Sequence, residues 1–73
     1  MNYLQAILTK LTGQRDIELQ DLIVYLNNPV GVGEHSNIGE EVEIKISNIE
    51  ALESKIETIN KILKQLEPKK TDQ

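Results

Sequence analysis

The most regular hydrophobic pattern lies in the C-terminal half of the chain. From residue 38 onward, apolar residues recur at alternating spacings of four and three, the heptad repeat of a helix that packs along one seam. Asn37 and Glu40 fit a capping box at its start, and Pro68 stops it, so the pattern predicts a helix over residues 37–66. Lys45 is the one charged residue at a seam position. The apolar seam residues are Ile38, Val42, Ile49, Leu52, Ile56, Ile59, Leu63 and Leu66.

A second pattern competes with the heptad over residues 41–47. Apolar and polar residues alternate strictly there, which is typical of a strand. A strand needs a partner, and the chain offers only a weak alternation at residues 17–20. Because the heptad continues in phase through this segment, we favour the helix and keep the strand as the alternative.

The N-terminal half predicts two further helical pieces, over residues 2–12 and 16–27. The apolar stripe of the first piece consists of Leu4, Ile7, Leu8 and Leu11. The most coherent apolar face of the second consists of Leu19, Leu22, Ile23 and Leu26. Gly13 interrupts the pattern, and Asp16 is suited to capping a new helix, so we predict a break near Gly13. The alternative is one bent helix that crosses the glycine.

The lengths of the two halves predict how they pack. At about 1.5 Å per residue, residues 2–27 would span about 39 Å as a helix and the C-terminal helix about 45 Å. The two halves can therefore fold back on each other around an ordered loop at residues 28–36. We predict an all-α fold, a single domain over residues 1–67 built as an antiparallel helical hairpin, followed by a flexible tail at residues 68–73. Two such hairpins would assemble into a coiled coil or four-helix bundle.

The composition adds a reason to expect that assembly. The 73 residues include ten Ile, nine Leu and four Val, but no Phe, Trp or Cys. A chain of this size buries only about 60% of its unfolded surface, and disulfides cannot reinforce its core. Association with another chain is the usual remaining support, so we expect a homo-oligomer, with a dimer first, or a complex with a protein partner.

Two interpretations of the heptad seam stay open. It can pair two chains as a coiled coil, or it can be the core stripe of one chain. Ile44, Ile46 and Ile62 widen the apolar stripe beyond the width of a two-stranded seam, which favours packing between several neighbouring helices. Both interpretations can hold at once.

The loop is the one segment where local chemistry looks specified. Its candidate recognition residues are Pro29, Gly31, Gly33, Glu34 and His35. The segment matches no phosphate-binding fingerprint, and one His without Cys cannot complete a metal site within one chain. A turn-and-cap role is the simpler interpretation, and docking of a partner is the functional one.

Several function classes are excluded or disfavoured. A single His and no Cys give no support to nucleophilic catalysis, so we expect no enzyme and no cofactor. The net charge of −4 and the scarcity of aromatic residues argue against nucleic-acid binding. The longest apolar run, residues 22–26, is too short for a membrane span, and the N-terminus shows no signal-peptide pattern. We therefore expect a cytoplasmic protein without membrane association.

The stretch from Tyr25 to Ile38, with its Asn-Pro-Val-Gly-Val-Gly-Glu-His segment, resembles small uncharacterised proteins encoded by tailed bacteriophages. The resemblance implies a viral origin, hence the host cytoplasm, and supports a helix after the loop. It transfers no functional residues. We expect a non-enzymatic helical oligomerisation or protein-interaction module, such as a phage accessory protein. The alternative is an adaptor or inhibitor that binds a host or viral protein through the long helix or the loop.

Overall fold

Two helices make up the part of the chain that a computed structural model describes, residues 2–27 and 38–67. Helix α1 runs over Tyr3–Asn27 and helix α2 over Ile38–Leu66, and the described residues contain no strand. The heptad helix is confirmed through residues 41–47, and the strand alternative is wrong. The remaining predictions for the loop and the tail lie outside the described residues. These include the candidate recognition residues Pro29, Gly31, Gly33, Glu34 and His35.

Helix α1 is continuous through Gly13, so the predicted break at this position is wrong. Asn2 caps the helix, since the Gln5 backbone N–H donates to Asn2 Oδ1 at 2.8 Å, whereas Asp16 lies in the helix interior. An interior glycine costs a helix only about 1 kcal/mol. Helix α1 packs on α2 on both sides of the glycine, through Leu11 and Leu22, and this packing can offset that cost.

The helices pack against each other in antiparallel orientation, as predicted. Arg15 on α1 pairs with Glu53 on α2, and Glu18, one turn later on α1, pairs with Lys45, earlier on α2. The partner number falls as the α1 number rises, which defines an antiparallel hairpin and its register. In this register, the residue numbers of an α1 residue and of the α2 residue opposite it sum to about 65.

The core of this hairpin is thin. Among the described residues only Leu11, Leu22 and Ile59 are buried, at 9%, 9% and 8% exposure, and no side chain is fully enclosed. Two helices in contact shield one stripe on each other and leave both outer sides in water. The structure therefore has the limited burial that the chain length predicts.

The face of α1 that packs on α2 agrees with the predicted stripe at Leu4, Leu8 and Leu11, although Ile7 is 41% exposed, and it differs from the prediction in the second half of the helix. Its seam residues, spaced four and three apart, are Leu4, Leu8, Leu11, Arg15, Glu18, Leu22 and Tyr25. Of the predicted face in residues 16–27, Leu22 is buried, but Leu19, Ile23 and Leu26 are exposed by 40%, 41% and 57%. The stripe of Leu4, Leu8 and Leu11 extends in phase to Arg15 and Glu18, and α2 is too narrow to cover a second stripe as well.

Candidate functional site

The predicted seam of α2 is the surface that faces α1. Seven of its eight apolar residues are buried or half-buried in the hairpin, with Ile59 the most enclosed. The exception is Leu66, which is 68% exposed. The register puts Leu66 at the level where α1 begins, so α1 does not extend far enough to cover it. Within one chain the seam therefore acts as an intramolecular core stripe.

A charged cluster interrupts the middle of the seam. Arg15 Nε donates to Asp16 Oδ1 at 2.8 Å, and its Nη1 donates to Glu53 Oε2 at 3.3 Å. These bonds, the one to Asp16 first, raise the pKa of the Arg15 guanidinium above its ordinary value, although desolvation opposes the shift. Arg15 therefore stays charged and ties α1 to α2 at the solvent-facing edge of the seam.

Lys45 forms the second cross-helix pair. Its ammonium lies 4.0 Å from Glu18 Oε1, and the two side chains are 22% and 29% exposed. That distance is within reach of ion pairing but too long for a hydrogen bond, and Glu18 Oε1 is buried without a hydrogen-bond partner. Lys45 therefore pairs with α1, where Glu18 occupies a seam position.

The two cross-helix pairs of this cluster lie at the observed register of the hairpin, and each joins a carboxylate of one helix to a cation of the other. Within residues 2–27 and 38–67 no group of three His, Cys, Asp or Glu side chains is placed to hold a metal ion. Ion pairs across a helix interface specify register better than they stabilise the fold.

Two outer flanks of the hairpin remain, and each carries apolar residues in water. The first, which we name the neutral flank, runs the length of the hairpin. It includes two open grooves of about 360 and 280 Å³, the larger lined by Ile17 and Ala51 and the smaller by Ile7. Its charged residues, Lys10, Asp21, Glu41 and Lys55, cancel. Its apolar residues are Tyr3, Ile7, Ile17, Val24, Ile44, Ala51 and Ile62.

The opposite side, which we name the acidic flank, differs in charge. Near the C-terminal end of α1 it exposes an apolar patch, and the register places Ile46 of α2 opposite Leu19 of α1. Most charged residues on this flank are acidic, although Lys61 and Lys64 border a groove of about 410 Å³ at its far end. The patch consists of Leu19, Ile23, Leu26 and Ile46. The acidic residues along the flank are Asp16, Glu43, Glu50, Glu53 and Glu57.

In the sequence, the α2 residues of these flanks are visible only as a widened apolar stripe, and the two flanks are not distinguished. Ile44 and Ile62 fall on the neutral flank and Ile46 on the acidic one. The heptad position of an α2 residue shows on which side of the α2 seam it lies. To assign the α1 residues to the same two flanks, the seam of α1 must also be known. That seam contains Arg15 and Glu18, so it is not visible as an apolar stripe.

Neither α1 nor α2 combines the length and hydropathy that a membrane span requires. The sequence matches no family model, and no curated protein or solved structure matches it at a significant level.

Proposed function

We propose that this chain is a non-enzymatic helical self-association module, in which a second copy packs on the neutral flank to form a four-helix bundle. The observation that carries the proposal is the row of exposed apolar residues along that flank. Ile17, Val24 and Ile44 are 63%, 56% and 48% exposed, although the hairpin buries only three side chains among the described residues. An apolar surface of this extent is typical of a protein-interaction site.

The charges favour a second copy as the occupant. Two neutral flanks approach each other without net repulsion, because Lys10 and Lys55 balance Asp21 and Glu41. Two acidic flanks would bring carboxylates together. A twofold axis would place the same residues on both sides of the interface, as in most homodimers.

The size of the flank is sufficient for a stable dimer. The 25 residues of α1 span about 38 Å, and two helices side by side are about 20 Å wide. The flank therefore offers about 750 Å² per copy, close to the roughly 800 Å² that each partner contributes to a standard interface.

Sedimentation equilibrium tests the proposal with two matched double variants. The wild type is expected to have twice the monomer mass of 8.3 kDa. Ile17→Gln/Ile44→Gln on the neutral flank should raise the dimer dissociation constant at least tenfold, because two apolar contacts per copy are lost. Glutamine leaves the net charge unchanged and is a good helix former. Ile23→Gln/Ile46→Gln makes the same change on the acidic flank and should leave the dimer intact. The proposal is contradicted if the wild type is monomeric, or if both double variants weaken the dimer to the same extent.

A second candidate function, an adaptor or inhibitor of another protein, is favoured by the apolar patch on the acidic flank. A dimer through the neutral flank leaves that patch in water, so self-association and partner binding are compatible. The resemblance of residues 25–38 to phage proteins would make the module a phage accessory protein acting in the host cytoplasm.

A further inference from the structure

The second half of α1 presents two apolar sides in addition to its seam. Leu22 packs on α2, and Val24 lies on the neutral flank. The third side, Leu19, Ile23 and Leu26, has the i, i+4, i+7 spacing of a face that packs on another helix. No described residue of the chain covers this side, since α2 packs on a different one.

The patch extends across both helices. Ile46 is 51% exposed on α2, and the register places it opposite Leu19 of α1, which is 40% exposed. Leu19 and Leu26 are seven residues apart, about 10 Å along α1. A surface of this length, formed by exposed apolar residues of both helices, fits two turns of a third helix with apolar residues at matching spacing.

The charges around the patch define the edges of that third helix. Glu43 and Glu50 lie one turn on either side of Ile46 on α2, and Asp16 lies one turn before Leu19 on α1. Arg15, the cation at the inner edge, is already held by Asp16 and Glu53. Lys64 lies 14 residues beyond Glu50, about 21 Å away along α2. Asp16 is paired with Arg15, so the negative border of the apolar patch consists of Glu43 and Glu50 on α2.

We propose that the patch of Leu19, Ile23, Leu26 and Ile46 docks an amphipathic helix of another protein, with apolar anchors at i, i+3 or i+4, and i+7 and with Lys or Arg at its edges. Burial of the anchors supplies the affinity, and the acidic border selects the basic edges. A second copy that presented the same patch would bring two acidic borders together, so we assign the site to a different protein. This inference does not depend on self-association through the neutral flank.

The direct test is titration of the full chain with a synthetic amphipathic peptide labelled with a fluorophore, followed by anisotropy. The peptide has 18 residues, leucines at the stated spacing and lysines on both edges. A control peptide has glutamates in place of the lysines. The basic peptide should bind saturably with one site per chain and lose affinity as salt rises, and the acidic peptide should bind at least tenfold more weakly.

Variants locate the site. Ile23→Gln/Ile46→Gln should weaken binding of the basic peptide at least tenfold, and Glu43→Gln/Glu50→Gln several-fold at low salt. The matched Ile17→Gln/Ile44→Gln variant should bind as the wild type does. Circular dichroism verifies that each variant stays helical, and sedimentation separates this test from that of the dimer. Absence of binding, equal binding of both peptides, or loss of binding only with the neutral-flank variant overturns the proposal.

Discussion

Helix α2 concentrates its apolar residues on the seam, whereas α1 distributes them around its axis. The seam of α2 is apolar except at Lys45, and its outward side is polar. In α1 the seam contains Arg15 and Glu18, while isoleucine, leucine and valine side chains occupy both flanks. A helix with one partner needs one apolar stripe, and the excess on α1 is the surface on which we base both proposals.

The largest effect is expected from a charge in the apolar part of the seam. Ile59→Asp introduces a carboxylate at the most enclosed position of the α2 seam, where Ile59 is only 8% exposed. An unpaired buried carboxylate costs several kcal/mol, and a domain of this size has only a few in reserve. The variant should unfold at 25 °C by circular dichroism. Ser54→Asp adds the same group at an exposed position of α2, and a comparable loss there would refute the assigned seam.

An intermediate effect is expected in the charged part of the seam. Lys45→Leu leaves Glu18 facing an apolar side chain, so we expect a loss of about 1 kcal/mol, since both groups are partly exposed. Glu18→Leu/Lys45→Leu removes both charges and should recover the loss or exceed wild-type stability. Urea denaturation of Lys45→Leu, Glu18→Leu and the double variant gives the coupling energy between the two side chains. Additive effects would show that the pair does not interact.

The sequence predicted α2 well because its apolar residues and its seam coincide. In α1 they do not. Leu19, Ile23 and Leu26 form the more obvious apolar face, yet they face outward in the observed hairpin, where Arg15 lies opposite Glu53 and Glu18 opposite Lys45. Cross-helix charge pairs have no signature within one helix, so neither the hidden seam of α1 nor the two flanks was predictable.

The smallest effect concerns the glycines of the two helices. Gly13 lies in the interior of α1, and no atom outside its own helical turns comes within 4 Å of where an alanine Cβ would lie. Gly13→Ala should therefore stabilise the hairpin by about 0.5–1 kcal/mol through helix propensity. Gly39 has equal space but lies in the first turn of α2, where Gly39→Ala should gain less. Thermal melts should rank the two variants in this order. A lower melting temperature for Gly13→Ala would indicate a functional bend in α1.

The reactivity of single introduced thiols tests most directly the central claim that α1 has a different neighbour on each side. The chain has no Cys, so a single introduced thiol is a unique reporter. Three single variants place it at three successive residues: Leu22→Cys, Ile23→Cys and Val24→Cys. Relative to the unfolded chains, the Leu22→Cys thiol should react slowly at every protein concentration and the Ile23→Cys thiol rapidly at every concentration. The Val24→Cys thiol should react slowly in concentrated protein and faster on dilution, as the second copy leaves the neutral flank. Rates for Val24→Cys that do not depend on concentration, or protection of Ile23→Cys in its place, would contradict the account.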